Sequence, residues 1–212
     1  GSGKTILALA KAQQTARRGM RTLFLCYNSQ LKDWLQQSIH NTFGDDLVID
    51  TYHGLVYDLC QMANVSFQPG SHREDSESWT SDAPECLMTA CDRLANEHKF
   101  DAVIVDEGQD FHDLWWTSLD GIFRDPENKG CYYAFFDPYQ NLYVDSPDIP
   151  GELGDPFELP VNCRNTVRIA EHCAALVEQP SMVRDGAPLG DEPEIVCVRT
   201  IRDGFREAGR CV

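Results

Sequence analysis

The sequence predicts an α/β fold in which a mostly parallel β-sheet is flanked by helices on both faces. Helical and strand-like segments alternate along the 212 residues. The predicted strands are apolar along their whole length, which is typical of strands that are buried on both faces of a parallel sheet. The apolar content of 42% is ordinary for a globular domain and excludes global disorder.

The first part of the chain predicts helices and strands in alternation. Residues 4–18 are rich in Ala, Leu and Gln and contain neither Pro nor Gly, so they predict a helix that Gly19 ends. The elements predicted after it are a strand over 21–27, a helix over 30–42, a strand over 47–50 and a helix over 53–63. The buried face of the helix over 30–42 is expected to consist of Leu31, Trp34, Leu35 and Ile39.

The later part of the chain begins with a segment that lacks periodicity. Residues 64–84 contain Pro-Gly and Ser-rich stretches and predict a loop, which opens a short accessory region over 64–99. The elements predicted next are a helix over 85–98, strands over 100–106, 131–136 and 157–159, a helix over 166–177 and a strand over 194–199. We predict one domain over 1–189 and the start of a second, truncated domain over 190–212.

The charge of the chain is acidic but unevenly distributed. The net charge is −16, which argues against a simple nucleic-acid-binding module. Residues 1–50 nevertheless hold six Lys or Arg and four Asp or Glu, whereas residues 51–212 hold twelve and thirty. The first part can therefore form a local positive groove, and the alternative is that its charges lie on solvated helix faces.

The nine cysteines are odd in number and irregularly spaced. Several lie in apolar strand-like runs, as Cys26 does, which is typical of reduced, buried thiols in a cytosolic protein. Their spacing does not match a zinc site. The apolar runs are far shorter than the roughly 20 residues that cross a bilayer as a helix. We therefore expect a cytoplasmic protein that does not bind a membrane.

A glycine-rich segment opens the first predicted helix and consists of Gly1, Ser2, Gly3, Lys4 and Thr5. In a phosphate-binding loop, glycines let backbone N–H groups surround the phosphates, while the Lys reaches the β- and γ-phosphates and the Thr holds Mg²⁺. The segment therefore predicts a site for ATP and Mg²⁺, and the alternative is a glycine-rich helix cap with a chance lysine. A strand that feeds this loop is expected before Gly1, beside the strand that ends at Asp106.

A pair of carboxylates, Asp106 and Glu107, directly follows a predicted buried strand. Open α/β folds bind their ligands at the carboxyl ends of parallel strands. Asp106 is predicted to hold Mg²⁺ together with Thr5, and Glu107 to orient and deprotonate the attacking water. The alternative is an ordinary acidic loop after a strand, which the glycine-rich segment upstream makes less favoured.

Several segments resemble, in the same order along the chain, motifs of the UvrD/Rep-like DNA helicases of superfamily one. Residues 106–110 resemble the Asp-Glu-Ala-Gln-Asp box of that family, with Gly108 in place of Ala. Residues 25–29, 51–54, 136–143 and 159–166 are similar to four further family segments. The resemblance covers residues 1 to about 177 and implies a RecA-like P-loop NTPase domain, the ATP-hydrolysing core of a DNA helicase or translocase.

The resemblance also implies roles for residues outside the phosphate site. Gln140 would sense the γ-phosphate, and Arg164 would act as an arginine finger that stabilises negative charge in the transition state. Cys163 stands where the family has a Tyr that packs on the adenine, so recognition of the base departs from the family pattern. The residues expected to contact single-stranded DNA are Tyr27, Asn28, Tyr52, His53 and Tyr143.

The partners implied by the resemblance are single-stranded DNA, with RNA left open, and a second RecA-like domain that closes around ATP. The acidic charge leaves another interpretation open, a P-loop NTPase with a regulatory or signalling role that does not unwind nucleic acid. A third interpretation is a degenerate helicase domain kept as a binding surface. The residues that argue against it are Lys4, Asp106, Glu107, Gln140 and Arg164.

Overall fold

The computed structural model describes residues 2–68, 78–127, 130–140, 149–178 and 180–200, without the side chains of residues 39–41. The strands are β1 Thr22–Leu25, β2 Leu47–Asp50, β3 Ala102–Asp106 and β4 Cys131–Phe135. The helices are α1 Lys4–Ala16, α2 Ser29–Phe43, α3 Tyr52–Met62, α4 Ala83–Arg93, α5 Asp113–Leu119 and α6 Val167–Leu176.

The four strands form one sheet in the order β2-β1-β3-β4, and every neighbouring pair is parallel. β3 lies inside the sheet, where Val103 is in register with Leu23 of β1 and with Tyr132 of β4. The prediction that a strand preceding Gly1 lies beside β3 is therefore wrong, because β1 and β4 already pair with both edges of β3.

Helices cover both faces of this sheet, as predicted. On one face, α1 and α2 bury Ala8 and Leu35 in a cluster with Phe24 of β1. On the other face, Leu23 and Leu25 of the same strand belong to a cluster with side chains of α3, α4 and α5. Successive side chains of a strand point to opposite faces, so a strand covered on both sides must be apolar throughout. The α/β class with a parallel sheet is confirmed.

Polar side chains set where α2 and α3 begin. Asn28 precedes α2, and its side-chain oxygen accepts hydrogen bonds from the backbone N–H groups of Gln30 and Leu31. Thr51 precedes α3, and its hydroxyl accepts the backbone N–H of Gly54 at 3.1 Å. Each cap satisfies N–H groups that lack a partner in the first helical turn and stabilises the helix by about 1 kcal/mol. Both helices therefore begin at the carboxyl ends of the strands that precede them.

The accessory region predicted over 64–99 is more helical than expected in its described part. Ser78–Asp82 forms a π-helical turn that leads directly into α4. The helix predicted over 85–98 thus begins earlier, at Ala83, and ends earlier, at Arg93. Pro84 lies in the first turn of α4, where its missing N–H group costs nothing. Residues 69–77 of the predicted loop lie outside the described residues.

The helix α5 is absent from the elements that the sequence predicts. It has seven residues, too few to show a helical period. Its two tryptophans, Trp115 and Trp116, are 2% and 3% exposed. Trp115 Nε1 donates to the backbone oxygen of Trp79 at 2.7 Å, which ties α5 to the π-helical turn. Tertiary packing in the core therefore stabilises a helix that the sequence alone does not predict.

Two predicted strands and one predicted buried side chain are wrong. Residues 157–159 and 194–199 are described and form no strand, and Phe157 is 89% exposed. A short apolar run matches the strand pattern, but a strand also needs a neighbour that pairs with its backbone groups. On α2, Leu35 is buried as predicted, whereas Trp34 is 62% exposed. The helix predicted over 166–177 is confirmed as α6.

The chain divides into two compact units, Lys4–Glu158 and Gly1–Gly3 with Leu159–Val212. The first unit holds the sheet and the helices from α1 to α5. The second unit holds α6 and a parallel bridge between Asn162 and Val183. The domain boundary predicted at residues 189 and 190 stays a prediction. Among the described residues, no helix combines the length and the apolar character needed to cross a bilayer.

Candidate active site

The carboxyl ends of β3 and β4 lie at the same edge of the sheet because the two strands are parallel. β3 ends with Asp106, and Asp137 follows β4 two residues after its end. α1 begins with Lys4 and packs against both strands. These elements meet at the edge where open α/β folds bind ligands, and all belong to the compact unit Lys4–Glu158.

An ion pair joins α1 to the segment after β4. Lys4 Nζ lies 2.9 Å from Asp137 Oδ2, and the two side chains are 22% and 17% exposed. Gln140 Nε2 donates to the same Asp137 oxygen at 2.8 Å. The other carboxylate oxygen, Oδ1, accepts the backbone N–H of Tyr139 at 3.1 Å. Asp137 therefore holds a cation, an amide and the following turn together.

Asp106 is buried at the end of β3, with 1% of its surface exposed. Burial raises its pKa from the ordinary 3.8 to about 6, a rise that hydrogen bonding from the Thr5 side chain opposes. The charge of Glu107 raises this pKa further, and the charge of Lys4 lowers it. Asp106 Oδ2 is buried and has no hydrogen-bond partner among the described residues. An ionised carboxylate in this state costs free energy until a ligand pairs with it.

Glu107 follows β3 in a left-handed backbone conformation, with a φ angle of 57°. This conformation costs a residue other than Gly about 1–3 kcal/mol, so its surroundings must maintain it. Gln109 Nε2 donates to Glu107 Oε2 at 2.7 Å. Gln109 Oε1 accepts the backbone N–H of Asp137 at 2.9 Å. The buried Gln109 thus connects the residues that follow β3 with those that follow β4.

Gly108 lies at a crowded position, where the helicase box that this segment resembles has Ala. A Cβ atom added to Gly108 would lie 3.1 Å from the ring of the buried Trp116. This separation is shorter than an ordinary van der Waals contact, so the ring would have to move for an alanine to fit. The packing of Trp116 therefore favours glycine at this position.

Asp106 and Thr5 fit the requirements of Mg²⁺. This ion takes oxygen ligands and commonly combines one or two carboxylates with waters and phosphates. The Oδ2 atom of Asp106 and the Thr5 hydroxyl beside this carboxyl are oxygens of that kind. In the described ranges, no three His, Cys, Asp or Glu side chains form a group that could hold a metal ion. A bound Mg²⁺ would complete its octahedral ligand set with oxygens of phosphate and water.

The predicted site residues differ in where they lie. The structure brings together Lys4, Thr5, Asp106, Glu107 and Gln140, which are linked directly or through Gln109 and Asp137. Gln109 and Asp137 are not among the site residues that the sequence predicts. Both lie inside segments that resemble helicase motifs, residues 106–110 and 136–143. Asp137 also follows a predicted strand, just as Asp106 does, and this position is the sequence signal that could have identified it.

Ser2, Gly3 and Arg164 belong to the other compact unit. Gly3 has a φ angle of 84°, which only glycine adopts without strain. Arg164 is exposed, and its backbone N–H donates to Asn162 Oδ1 at 3.1 Å. Its predicted role as an arginine finger stays a prediction. Gly1 lies outside the described residues.

Tyr52 belongs to the core, which corrects its prediction as a base-stacking residue. Its side chain is 1% exposed, and its ring stacks on that of Trp115 with centroids 4.1 Å apart. Its hydroxyl shares a hydrogen bond of 2.8 Å with Ser118 Oγ. Stacking on a base requires an accessible ring face. The buried Tyr52 ring offers none.

His53 lies beside Tyr52 in an aromatic cluster and is half-buried. Its ring meets Trp79 and Trp115 edge to face, with centroids 4.3 and 5.1 Å apart. Burial lowers the pKa of His53 below its ordinary 6.5, and the nearby His112 lowers it further. The predicted contact of His53 with single-stranded DNA stays a prediction.

Tyr27 and Asn28 follow β1 at the same edge of the sheet as Asp106. Tyr27 is half-buried against the core, and Asn28 is exposed while its oxygen caps α2. Tyr143 lies outside the described residues. The roles of these three residues in binding single-stranded DNA stay predictions.

No model of a known protein family matches the chain. A search of curated proteins also gave no match. Membership of the UvrD/Rep-like helicases stays a prediction from the short motifs.

Proposed function

We propose that the chain is an ATP-hydrolysing domain of the RecA-like P-loop type and the core of an ATP-dependent DNA helicase or translocase. The observation that carries this proposal is the meeting of Lys4, Thr5, Asp106 and Glu107 at the carboxyl edge of a parallel sheet. An ammonium, a hydroxyl and two carboxylates in this arrangement match the needs of a Mg²⁺-bound triphosphate.

Each of these residues has a distinct part in the proposed reaction. Lys4 stabilises the charge that develops on the terminal phosphate. Thr5 and Asp106 would hold Mg²⁺, which when bound neutralises phosphate charge. Glu107 orients the attacking water and accepts its proton, and the hydrogen bond from Gln109 fixes the Glu107 carboxylate. A positioned general base typically contributes about 10²–10⁴-fold to a rate.

Single-stranded DNA is the proposed polymer partner. The motif resemblance supports this choice, as does the location of Tyr27, Asn28 and His53 after the carboxyl ends of β1 and β2. An aromatic ring that stacks on a base contributes about 1–3 kcal/mol. A second RecA-like domain would complete the ATP site, to which Arg164 would add positive charge in the transition state.

Two observations favour a second candidate function, a regulatory P-loop NTPase that does not bind nucleic acid. The net charge of −16 opposes binding to a polyanion. The burial of Tyr52 removes one of the aromatic rings that the resemblance implies for base stacking.

The test is steady-state ATP hydrolysis by the purified protein with Mg²⁺ at low salt, alone and with single-stranded DNA or RNA. The proposed helicase core hydrolyses ATP severalfold faster with single-stranded DNA. Hydrolysis that ignores both polymers would support the regulatory candidate instead. A protein that neither binds nor hydrolyses ATP would refute both. Asp92→Asn, which removes an exposed carboxylate of α4, is the matched control and should leave the rate unchanged.

A further inference from the structure

The carboxylate of Asp137 binds Lys4 and Gln140, the two side chains that the proposed function assigns to the terminal phosphate. Its Oδ2 atom lies 2.9 Å from Lys4 Nζ and accepts Gln140 Nε2 at 2.8 Å. A phosphate oxygen can accept hydrogen bonds from an ammonium and an amide just as this carboxylate oxygen does. The carboxylate and a phosphate would therefore compete for the same donors.

The same residue is connected to the proposed general base. The backbone N–H of Asp137 donates to Gln109 Oε1 at 2.9 Å, and Gln109 Nε2 donates to Glu107 Oε2 at 2.7 Å. Gln109 is 2% exposed, so water does not readily replace either bond. Two hydrogen bonds through Gln109 thus connect Asp137 to Glu107.

We infer that Asp137 is a positioning residue whose carboxylate stands in for the terminal phosphate of the nucleotide. In the nucleotide-free protein it holds Lys4 and Gln140 in place. When a nucleoside triphosphate binds, Lys4 and Gln140 bond to its terminal phosphate and leave Asp137. The backbone of Asp137 then shifts, and its hydrogen bond to Gln109 transmits the shift to Glu107. The inference rests on the proposed function, because it assigns Lys4 and Gln140 to phosphate.

The first measurement needs no nucleotide. Urea unfolding of the wild type, Lys4→Met, Asp137→Asn and the double variant forms a double-mutant cycle for the pair. We expect a coupling of about two- to fivefold in the unfolding equilibrium constant, the range for a partly exposed ion pair. High salt should reduce this coupling. A cycle without coupling would overturn the inference, whatever the nucleotide experiments give.

The second measurement is binding of a fluorescent ATP analogue with Mg²⁺. Asp137→Asn retains an oxygen for Gln140 but loses the charge that competes for Lys4, so it should bind the analogue about two- to fivefold more tightly than the wild type. Asp92→Asn should bind it like the wild type. An Asp137→Asn protein that binds equally or more weakly would overturn the inference while leaving the proposed function intact.

The third measurement separates positioning from a structural role. Asp137→Ala removes the oxygen that accepts the Tyr139 N–H and thereby loosens the turn that carries Gln140, which should lower kcat about fivefold. Asp137→Asn keeps an oxygen for this bond and should restore kcat to near the wild-type value while keeping the tighter binding. Equal kcat values for the two variants would contradict the positioning role. A wild type that binds no ATP analogue would refute the proposed function and this inference together, and the unfolding cycle would still report on the ion pair.

Discussion

Replacing Asp106 with Asn should stabilise the nucleotide-free protein while it abolishes ATP hydrolysis. The carboxylate is 1% exposed, and burial raises its pKa from 3.8 to about 6. Each pKa unit corresponds to about 1.4 kcal/mol, so the ionised group costs the fold about 3 kcal/mol at pH 7. The amide of Asn needs partners of its own, which reduces the expected gain to about 1–3 kcal/mol.

The assay is thermal and urea unfolding of the wild type and Asp106→Asn in EDTA without nucleotide. A gain of this size raises Tm by about 2–4 °C for each kcal/mol in a chain of this length. The sign of the pH dependence follows from the raised pKa. The unfolded chain ionises above pH 3.8 but the folded protein only above about pH 6, so the difference between the proteins should shrink as the pH falls from 7 towards 4.

The matched control is Asp92→Asn, which neutralises an exposed carboxylate and should change stability by less than about 0.5 kcal/mol. An Asp106→Asn protein that is less stable than the wild type at pH 7 would refute the reasoning. It would mean that Asp106 makes favourable contacts in the fold and is not held ready for a ligand.

Three further substitutions test the packing around the site. Tyr52→Phe removes the hydrogen bond to Ser118 and should cost about 1 kcal/mol in urea unfolding without weakening DNA binding; weaker DNA binding at unchanged stability would restore the base-stacking role. Gly108→Ala forces its methyl against Trp116 and should cost about 1–3 kcal/mol, whereas a stabilised protein would show that the ring moves freely. His53 in the fold has a pKa below 6.5, so as the pH falls below about 6.5 the unfolded chain binds a proton at this residue before the folded protein does, and the protein loses stability. His53→Gln should make this loss of stability smaller. An unchanged dependence of stability on pH would contradict this.

The sheet and most helices follow from sequence because the signals are local and agree with one another. The apolar run at Ala102–Asp106 needs cover on both faces, and the helices on either side provide it. Asn28 and Thr51 cap the helices that follow them through side-chain bonds a few residues long. A sequence predicts structure well where the bonding partners are neighbours in the chain.

The remaining features depend on partners that are distant in the chain. The helix α5 exists because Trp115 and Trp116 pack into a core assembled from other segments. The burial of Tyr52 depends on Trp115, and the pairing of Lys4 with Asp137 depends on β4 lying next to β3. A sequence identifies Lys4 and Asp106 as candidates through their motifs, but strand order decides which carboxylate meets the lysine.

The most direct test of the proposed ATP site compares ATP binding and turnover by the wild type and Glu107→Gln with Mg²⁺. Because Glu107 is assigned to the water and Lys4, Thr5 and Asp106 to the Mg²⁺-bound triphosphate, the variant should bind ATP as tightly as the wild type. It should also hydrolyse ATP at least about 10²-fold more slowly. Unchanged turnover in Glu107→Gln, or no ATP binding by either protein, would contradict the account.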